Sequence, residues 1–327
     1  MSRVKDILRL CIPKKVRVFL WRLTQLPRSV KNFLQVIIFR RMFLVWERMG
    51  FHVTPSTFGS TIPELAKLPD DVFEKRSEMV GIDMRPERQV DLLATLVGRY
   101  GNELGVFEKT SVHPWDYYLF EWPTPFPPID AQILYCMTRW HKPRRIYEIG
   151  SGRSTTIMAR AVLENTKEGH PGELVAIEPY PNSVLRSGFP GLSRLVDTKF
   201  EDVPMAWFSV LEENDIVFID SSHHLRIAND VQYLYLELLP RLPRGVLVHI
   251  HDIFFPNECP REWIKEWKNF PNEQYLLQAF MAFNRAYEIL WASQFMHIFH
   301  RDLMQNTFKG YRQNWVGPGS LWIKRVG

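Results

Sequence analysis

The sequence is poor in cysteine, has no long uncharged apolar run, and shows neither an internal repeat nor a low-complexity tail. Its three cysteines, Cys11, Cys136 and Cys259, lie far apart and share no disulfide or zinc spacing. That excludes a disulfide scaffold or zinc module and leaves buried free thiols in a reducing compartment. No stretch approaches the roughly 20 consecutive apolar residues that cross a bilayer. The most apolar segment, "KKVRVFLWRLTQLPRSVKNFLQVIIFRRMFLVWERMG", is broken by Arg22, Arg28, Lys31, Arg40 and Arg41. It also lacks the uncharged core and small-residue cleavage site of a secretory signal. Acidic residues are scarce at this end: residues 1–50 hold twelve Lys/Arg against Asp6 and Glu47, a formal charge of +10. The whole chain carries +5, so the remainder is net −5, and a pI near 9.0 says little about it.

Two readings of residues 1–46 stay open. One is a basic amphipathic helix lying on an anionic membrane. The other is a helix packed on the main domain or a partner, with its Lys/Arg face in water. The protein is expected in the cytoplasm, and the first reading would place it peripheral to the inner face of the membrane.

What is present is an ordinary globular composition, 46% hydrophobic and 24% charged over 327 residues, with three expected zones. Residues 1–70 form the basic extension. Residues 71–140 form a helical and aromatic cap, with a helix around "ERQVDLLATLVGRYG" that stops near Gly101. Residues 141–327 hold a regular alternation. The strand signals are "RRIYEIG", "ELVAIEP", "SRLVDTKF", "NDIVFIDSS" and "RGVLVHIHDIF", then "YEILWAS" and "SLWIKRV". Helical patterns fall on "RSTTIMARAVLENT", "IANDVQYLYLELLPRL" (ended by Pro240) and "NEQYLLQAFMAFNRA". Alternation of this kind predicts an α/β fold: a Rossmann-like, seven-stranded, mostly parallel sheet with helices on both faces. The last two strands have the spacing of an antiparallel pair at one edge.

In such sheets ligands bind at the carboxyl ends of the strands, near the switch in strand order. Gly150 and Gly152 follow the first strand, and the next helix starts near Arg153–Ser154, with free N–H groups facing the same crevice. A dinucleotide fingerprint would need a third glycine, but Thr155 stands there. Glu148, two residues before the turn, would repel a pyrophosphate and suit a cationic amine. S-adenosylmethionine is such a ligand, with an ammonium and a sulfonium. Glu178 ends the second strand, where a carboxylate accepts ribose hydroxyls; nicotinamide-binding folds share that feature. Glu201 and Asp202 follow the third strand, and "FIDSSHH" brings Asp220 to the end of the fourth.

With "YEIGSGRSTT", "VAIEPYP", "FEDVP", "IVFIDSSHH" and "GVLVHIHDIFFP" in this order, the chain from about residue 125 onward resembles the class I S-adenosylmethionine-dependent methyltransferases. Within them it looks like bacterial enzymes that tailor glycans or small molecules. The resemblance implies that Glu148, Gly150, Ser151, Gly152 and Ser154 line the methionine part and that Glu178 binds ribose. It places Glu201 or Asp202 near adenine, with Asp220 at the reacting end. Some related sugar enzymes hold magnesium with carboxylates after strands four and five. Here His251 and Ser222 stand at two such positions, so Mg²⁺ stays an option and no metal ligand is assigned.

A hydroxyl acceptor needs a base. The candidates are Asp220, His223, His224, His249, His251 and Asp252. Strand parity puts His249 and His251 on one face, His249 inside the sheet layer and His251 nearer the crevice. His223, three residues after Asp220, is the first choice as base or substrate orienter, with His251 second. The aromatic segments 114–127 and 253–271 would flank the crevice as a lid or seal the sheet edge. The expected function is O-methylation of a sugar, glycan or small-molecule hydroxyl. A nicotinamide-dependent oxidoreductase and a non-catalytic adaptor with this fold are the alternatives. Nucleic acid is not an expected partner, since the region with the motifs is net acidic; a homo-oligomer is compatible with the sequence.

Overall fold

The computed structural model describes residues 25–56, 58–109, 112–120, 126–311 and 317–327. Cys11, the basic residues before position 25 and the stretch 121–125 of the first aromatic segment lie outside the described residues. The chain divides into two compact units, Met1–Leu68 and Pro69–Gly327.

In the first unit, helix α1 (Arg28–Gln35) runs into a wide π turn (Val36–Arg41), and α2 (Phe43–Arg48) follows. The Trp46 indole donates to the Ile38 carbonyl at 2.9 Å, and the His52 ring stacks on Phe43. No described side chain of this unit is buried. Among the described residues, no helix is long and apolar enough to cross a membrane.

The second unit opens with α3 (Pro86–Tyr100). Proline pre-sets its first turn, and Gly101 caps its end. Gln89, Leu93, Leu96 and Tyr100 are buried at helical spacing, so one stripe faces the core. Helix α4 (Pro128–His141) is buried from Pro128 to Arg139. Seven strands follow: β1 (Arg145–Ile149), β2 (Glu173–Ile177), β3 (Arg194–Val196), β4 (Ile216–Ile219), β5 (Leu247–Ile250), β6 (Tyr287–Ala292) and β7 (Leu321–Arg325). They form one sheet in the order β3-β2-β1-β4-β5-β7-β6. The first five are parallel, and β7 runs antiparallel between β5 and β6.

Between the strands stand α5 (Arg153–Lys167), α6 (Ser183–Ser187), α7 (Asp230–Tyr233), α8 (Glu273–Met281), α9 (Ser293–Phe299) and α10 (Arg301–Thr307). Alternate strand residues feed two cores. Ile146, Phe218 and Trp322 meet α4 and α5 on one face, while Tyr147, Val217 and Val248 meet the 231–242 segment and α8 on the other. Burial on both faces explains why β4 and β5 read as unbroken apolar runs.

All seven expected strands form. The helix expected over "IANDVQYLYLELLPRL" is corrected: only Asp230–Tyr233 is α-helical. The backbone then widens into a π turn (Leu234–Leu238) and tightens into a 3-10 turn (Leu239–Arg241) that contains Pro240. Proline has no N–H to give and crowds the carbonyl four residues back, so a regular α ladder cannot continue through it. Helices α9 and α10, between the two last strands, have no counterpart in the sequence reading. After β3 the chain returns to pair β4 with β1, so the order reverses between β1 and β4 and opens a crevice beyond their carboxyl ends.

Candidate active site

The crevice is shaped first by main chain. Gly150 has φ +79°, and a Cβ there would lie 1.7 Å from the Asp220 carbonyl oxygen; only glycine fits. The Gly150 N–H donates to the Ile177 carbonyl at 3.0 Å, tying the turn to β2. Gly152 has extended backbone and nothing within 4 Å of a hypothetical Cβ. Its N–H donates to Thr155 Oγ1 at 3.0 Å, at the start of α5.

Glu178 accepts the Ser151 N–H at 3.0 Å on one oxygen and the Tyr180 N–H at 2.7 Å on the other. It lines two adjoining cavities that share Gly150 and Asp220. One, of about 410 Å³, adds Tyr180, Lys199, Glu201, Ser222 and Arg226. The other, of about 220 Å³, adds Phe126, Ser151, Gly152 and Ser154. Asp202 lines neither and is exposed.

Glu148 is not on either wall. It is fully buried behind the turn, where Ser154 Oγ donates to its Oε1 at 2.6 Å and its Oε2 has no hydrogen-bond partner among the described residues. Burial pushes its carboxyl up to about 8. The sequence reading treats this group as a carboxylate; burial favours its protonated form, because the sheet excludes the water that would stabilise its charge. Ser154, which does line the wall, joins it to the crevice.

Asp220, which lines both cavities, leads into a cluster of side chains from distant segments; His223, Asp252 and Glu273 themselves line neither cavity. His223 and Asp252 both have φ +58°, an uncommon conformation away from glycine. His223 Nε2 lies 3.3 Å from Asp220 Oδ1 and 3.3 Å from Asp252 Oδ2, and its Nδ1 lies 2.9 Å from Glu273 Oε2. The N–H groups of Asn272 and Glu273, at the start of α8, also donate to the His223 carbonyl. Ser222 gives its N–H and its hydroxyl to Asp230. Burial works against a charged His223, yet the surrounding carboxylates outweigh it and lift its pKa well above the ordinary value. Burial raises the Asp252 carboxyl. For Asp220 burial acts in the same sense, but His251 and His223 overcome it and hold the carboxyl at about 2.

His251 stacks on Phe126 at 4.6 Å and on His249 at 5.5 Å, with Nε2 3.7 Å from Asp252. His249 is wholly buried and bonded to Ser320 Oγ at 2.9 Å, with a pKa held well below the ordinary value by burial. His224 turns its Nδ1 to the Ser222 carbonyl. Of the two aromatic segments, Phe126 reaches the crevice. Phe254 and Phe255 are core, while Trp263 and Trp267 stack on each other and line neither cavity. The sequence reading misses Glu273. Its only signal, an acidic residue in the first turn of an apolar helix, is common at helix N-termini.

Asp220, His223 and Asp252 each offer one donor atom, all within 4.8 Å of one another. That set fits a divalent cation. Its imidazole nitrogen suits transition metals better than magnesium, which prefers all-oxygen surroundings. Without a cation, the same atoms hold His223 as an imidazolium clamped between carboxylates.

Residues 147–253 match the family model for the methyltransferase domain. An uncharacterised protein of Archaeoglobus fulgidus is 33% identical over 170 residues, spanning 50% of this chain and 75% of that protein. Among solved structures, an O-methyltransferase from Bacillus cereus in complex with SAH is 14% identical with a TM-score of 0.35, covering 74% of this chain and 91% of that one. A TDP-rhamnose 3'-O-methyltransferase of calicheamicin biosynthesis is 12% identical with a TM-score of 0.38, covering 79% and 99%.

Proposed function

We propose a function from one premise: the chain belongs to the same family as the archaeal protein, and its residues 147–253 match the methyltransferase domain. It is an S-adenosylmethionine-dependent methyltransferase acting on a hydroxyl of a sugar, glycan or other small molecule. The observation that carries this is the buried Glu148, one oxygen unpaired, behind a glycine turn whose crevice also holds Glu178. A buried carboxyl oxygen without a partner costs free energy unless a ligand satisfies it, and a cationic aminoacyl group would do so by favouring the ionised form. A pyrophosphate would oppose that ionisation, and Thr155 occupies the place of the third glycine, so the nicotinamide reading is the weaker one.

The Gly150–Gly152 turn and Ser154 would hold the aminoacyl part, Glu178 the ribose hydroxyls, and Glu201 the adenine side. When bound, S-adenosylmethionine supplies a methyl group activated by its sulfonium. The remaining work falls to the chain. The His223 imidazolium, fixed from behind by Glu273, donates to and orients the acceptor oxygen; lacking a free lone pair, it is a poor base. Asp252, its carboxyl raised by burial, takes the acceptor proton. Phe126 covers the crevice and excludes water. A second reading, favoured by the Asp220–His223–Asp252 spacing, has these three residues hold a divalent cation against the acceptor. Calorimetric titration with S-adenosylmethionine and with NAD(H) tests the cofactor assignment. Binding of the first alone is expected; tight binding of the second alone would reverse it.

A further inference from the structure

We propose that residues 25–56 are a docking surface for an anionic lipid membrane. Val30, Phe33, Val36, Leu44, Val45 and Met49 are exposed, Phe33 and Leu44 each to 64%. Val30 and Phe33 sit on α1, Val36 opens the π turn, and Leu44 and Val45 sit on α2 with Met49 at its end; α1 and α2 have eight and six residues. Isolated helices this short are marginal in water and normally persist by burying an apolar face, yet neither this π turn nor α2 buries a residue. A covering surface is therefore needed.

Charge identifies it. Arg40, Arg41 and Arg48 are exposed among the apolar side chains, and Glu47 is the only acidic residue between positions 25 and 50. Residues 1–50 carry +10 while the rest of the chain carries −5. Arginine interleaved with Phe, Leu and Trp, beside an exposed apolar face, is the composition of segments that lie in the headgroup layer. The rings and aliphatic chains enter the acyl boundary and the guanidinium groups meet lipid phosphates. One anionic bilayer surface satisfies both sets of groups at once.

Vesicle flotation of the full chain tests this, comparing phosphatidylglycerol–phosphatidylcholine vesicles with phosphatidylcholine alone. Flotation with the anionic vesicles, lost in high salt, is expected. Arg40→Gln with Arg41→Gln should lower the partition coefficient about 30-fold. Phe33→Ser with Leu44→Ser should lower it at least ~10-fold, and unchanged thermal unfolding of each variant would confirm an intact fold. Absence of flotation, equal flotation with both vesicle types, or variants that float like the wild type would overturn the proposal. So would self-association in solution that the same substitutions abolish without any flotation, since a second copy would then be the occupant.

Discussion

At the β1–β2 end of the crevice, the wall is mostly main chain: the Gly150 turn, the Ser151 and Gly152 backbone, the first turn of α5, and one carboxylate held by two N–H groups. At the β4–β5 end it is a cluster of ionisable side chains from three segments, with His223 between Asp220, Asp252 and Glu273. The first end is rigid because its atoms are fixed by sheet pairing and a steric requirement for glycine. The second depends on charge balance among groups that titrate. Under the proposed function, the fixed end would hold the cofactor and the titratable end would act on the acceptor, so holding and reacting are separated.

That separation is breakable. His223→Ala or Asp252→Asn should reduce turnover by ~10²–10⁴-fold with cofactor affinity nearly unchanged, read by steady-state kinetics beside calorimetry. Wild-type turnover in both would remove them from the chemistry. Next in size, Gly150→Ala should destabilise the fold by about 2–5 kcal/mol, from left-handed strain plus collision with the Asp220 carbonyl. Gly152→Ala, two positions on, should shift stability by only about 0.5 kcal/mol; thermal unfolding of the pair tests whether the turn is held as described. Glu178→Ala should weaken S-adenosylmethionine binding by roughly 1–3 kcal/mol, and unchanged affinity would mean that the ribose site is elsewhere.

The smallest effect concerns pH. Glu148 is lifted from an ordinary 4.5 to about 8, so its folded form holds a proton that the unfolded chain releases. Its contribution to stability is complete below 4.5 and is lost as pH rises toward 8. Binding a cationic ligand ionises it, so affinity should rise with pH up to about 8 and then level off. At pH ~7 binding should release close to one proton, measurable by calorimetry in buffers of different ionisation enthalpy. Proton uptake, or a flat profile, would show that Glu148 does not serve the ligand.

The fixed end was the readable one. Gly150, Gly152 and Glu178 each follow a strand whose apolar run is plain, and parity alone placed His249 in the sheet layer, where it bonds Ser320. The titratable end was readable only in part. Asp220 and His223 are three residues apart and Asp252 ends β5, but Glu273 lies fifty positions after His223 and joins it only when α8 packs there. The break in the 230–241 helix was likewise hidden, since its apolar spacing is helical up to Pro240.

By itself, then, the sequence determined the alternation of strands and helices, the sheet class, the crevice and the glycine turn, because side-chain period and backbone sterics act over a few residues. Only the tertiary structure decided that Glu148 is buried behind the wall, where its protonated form is favoured, and that His223 lies among three carboxylates that favour its charged form. Protonation follows burial and the sum of nearby charges, and both are set by segments that meet through folding.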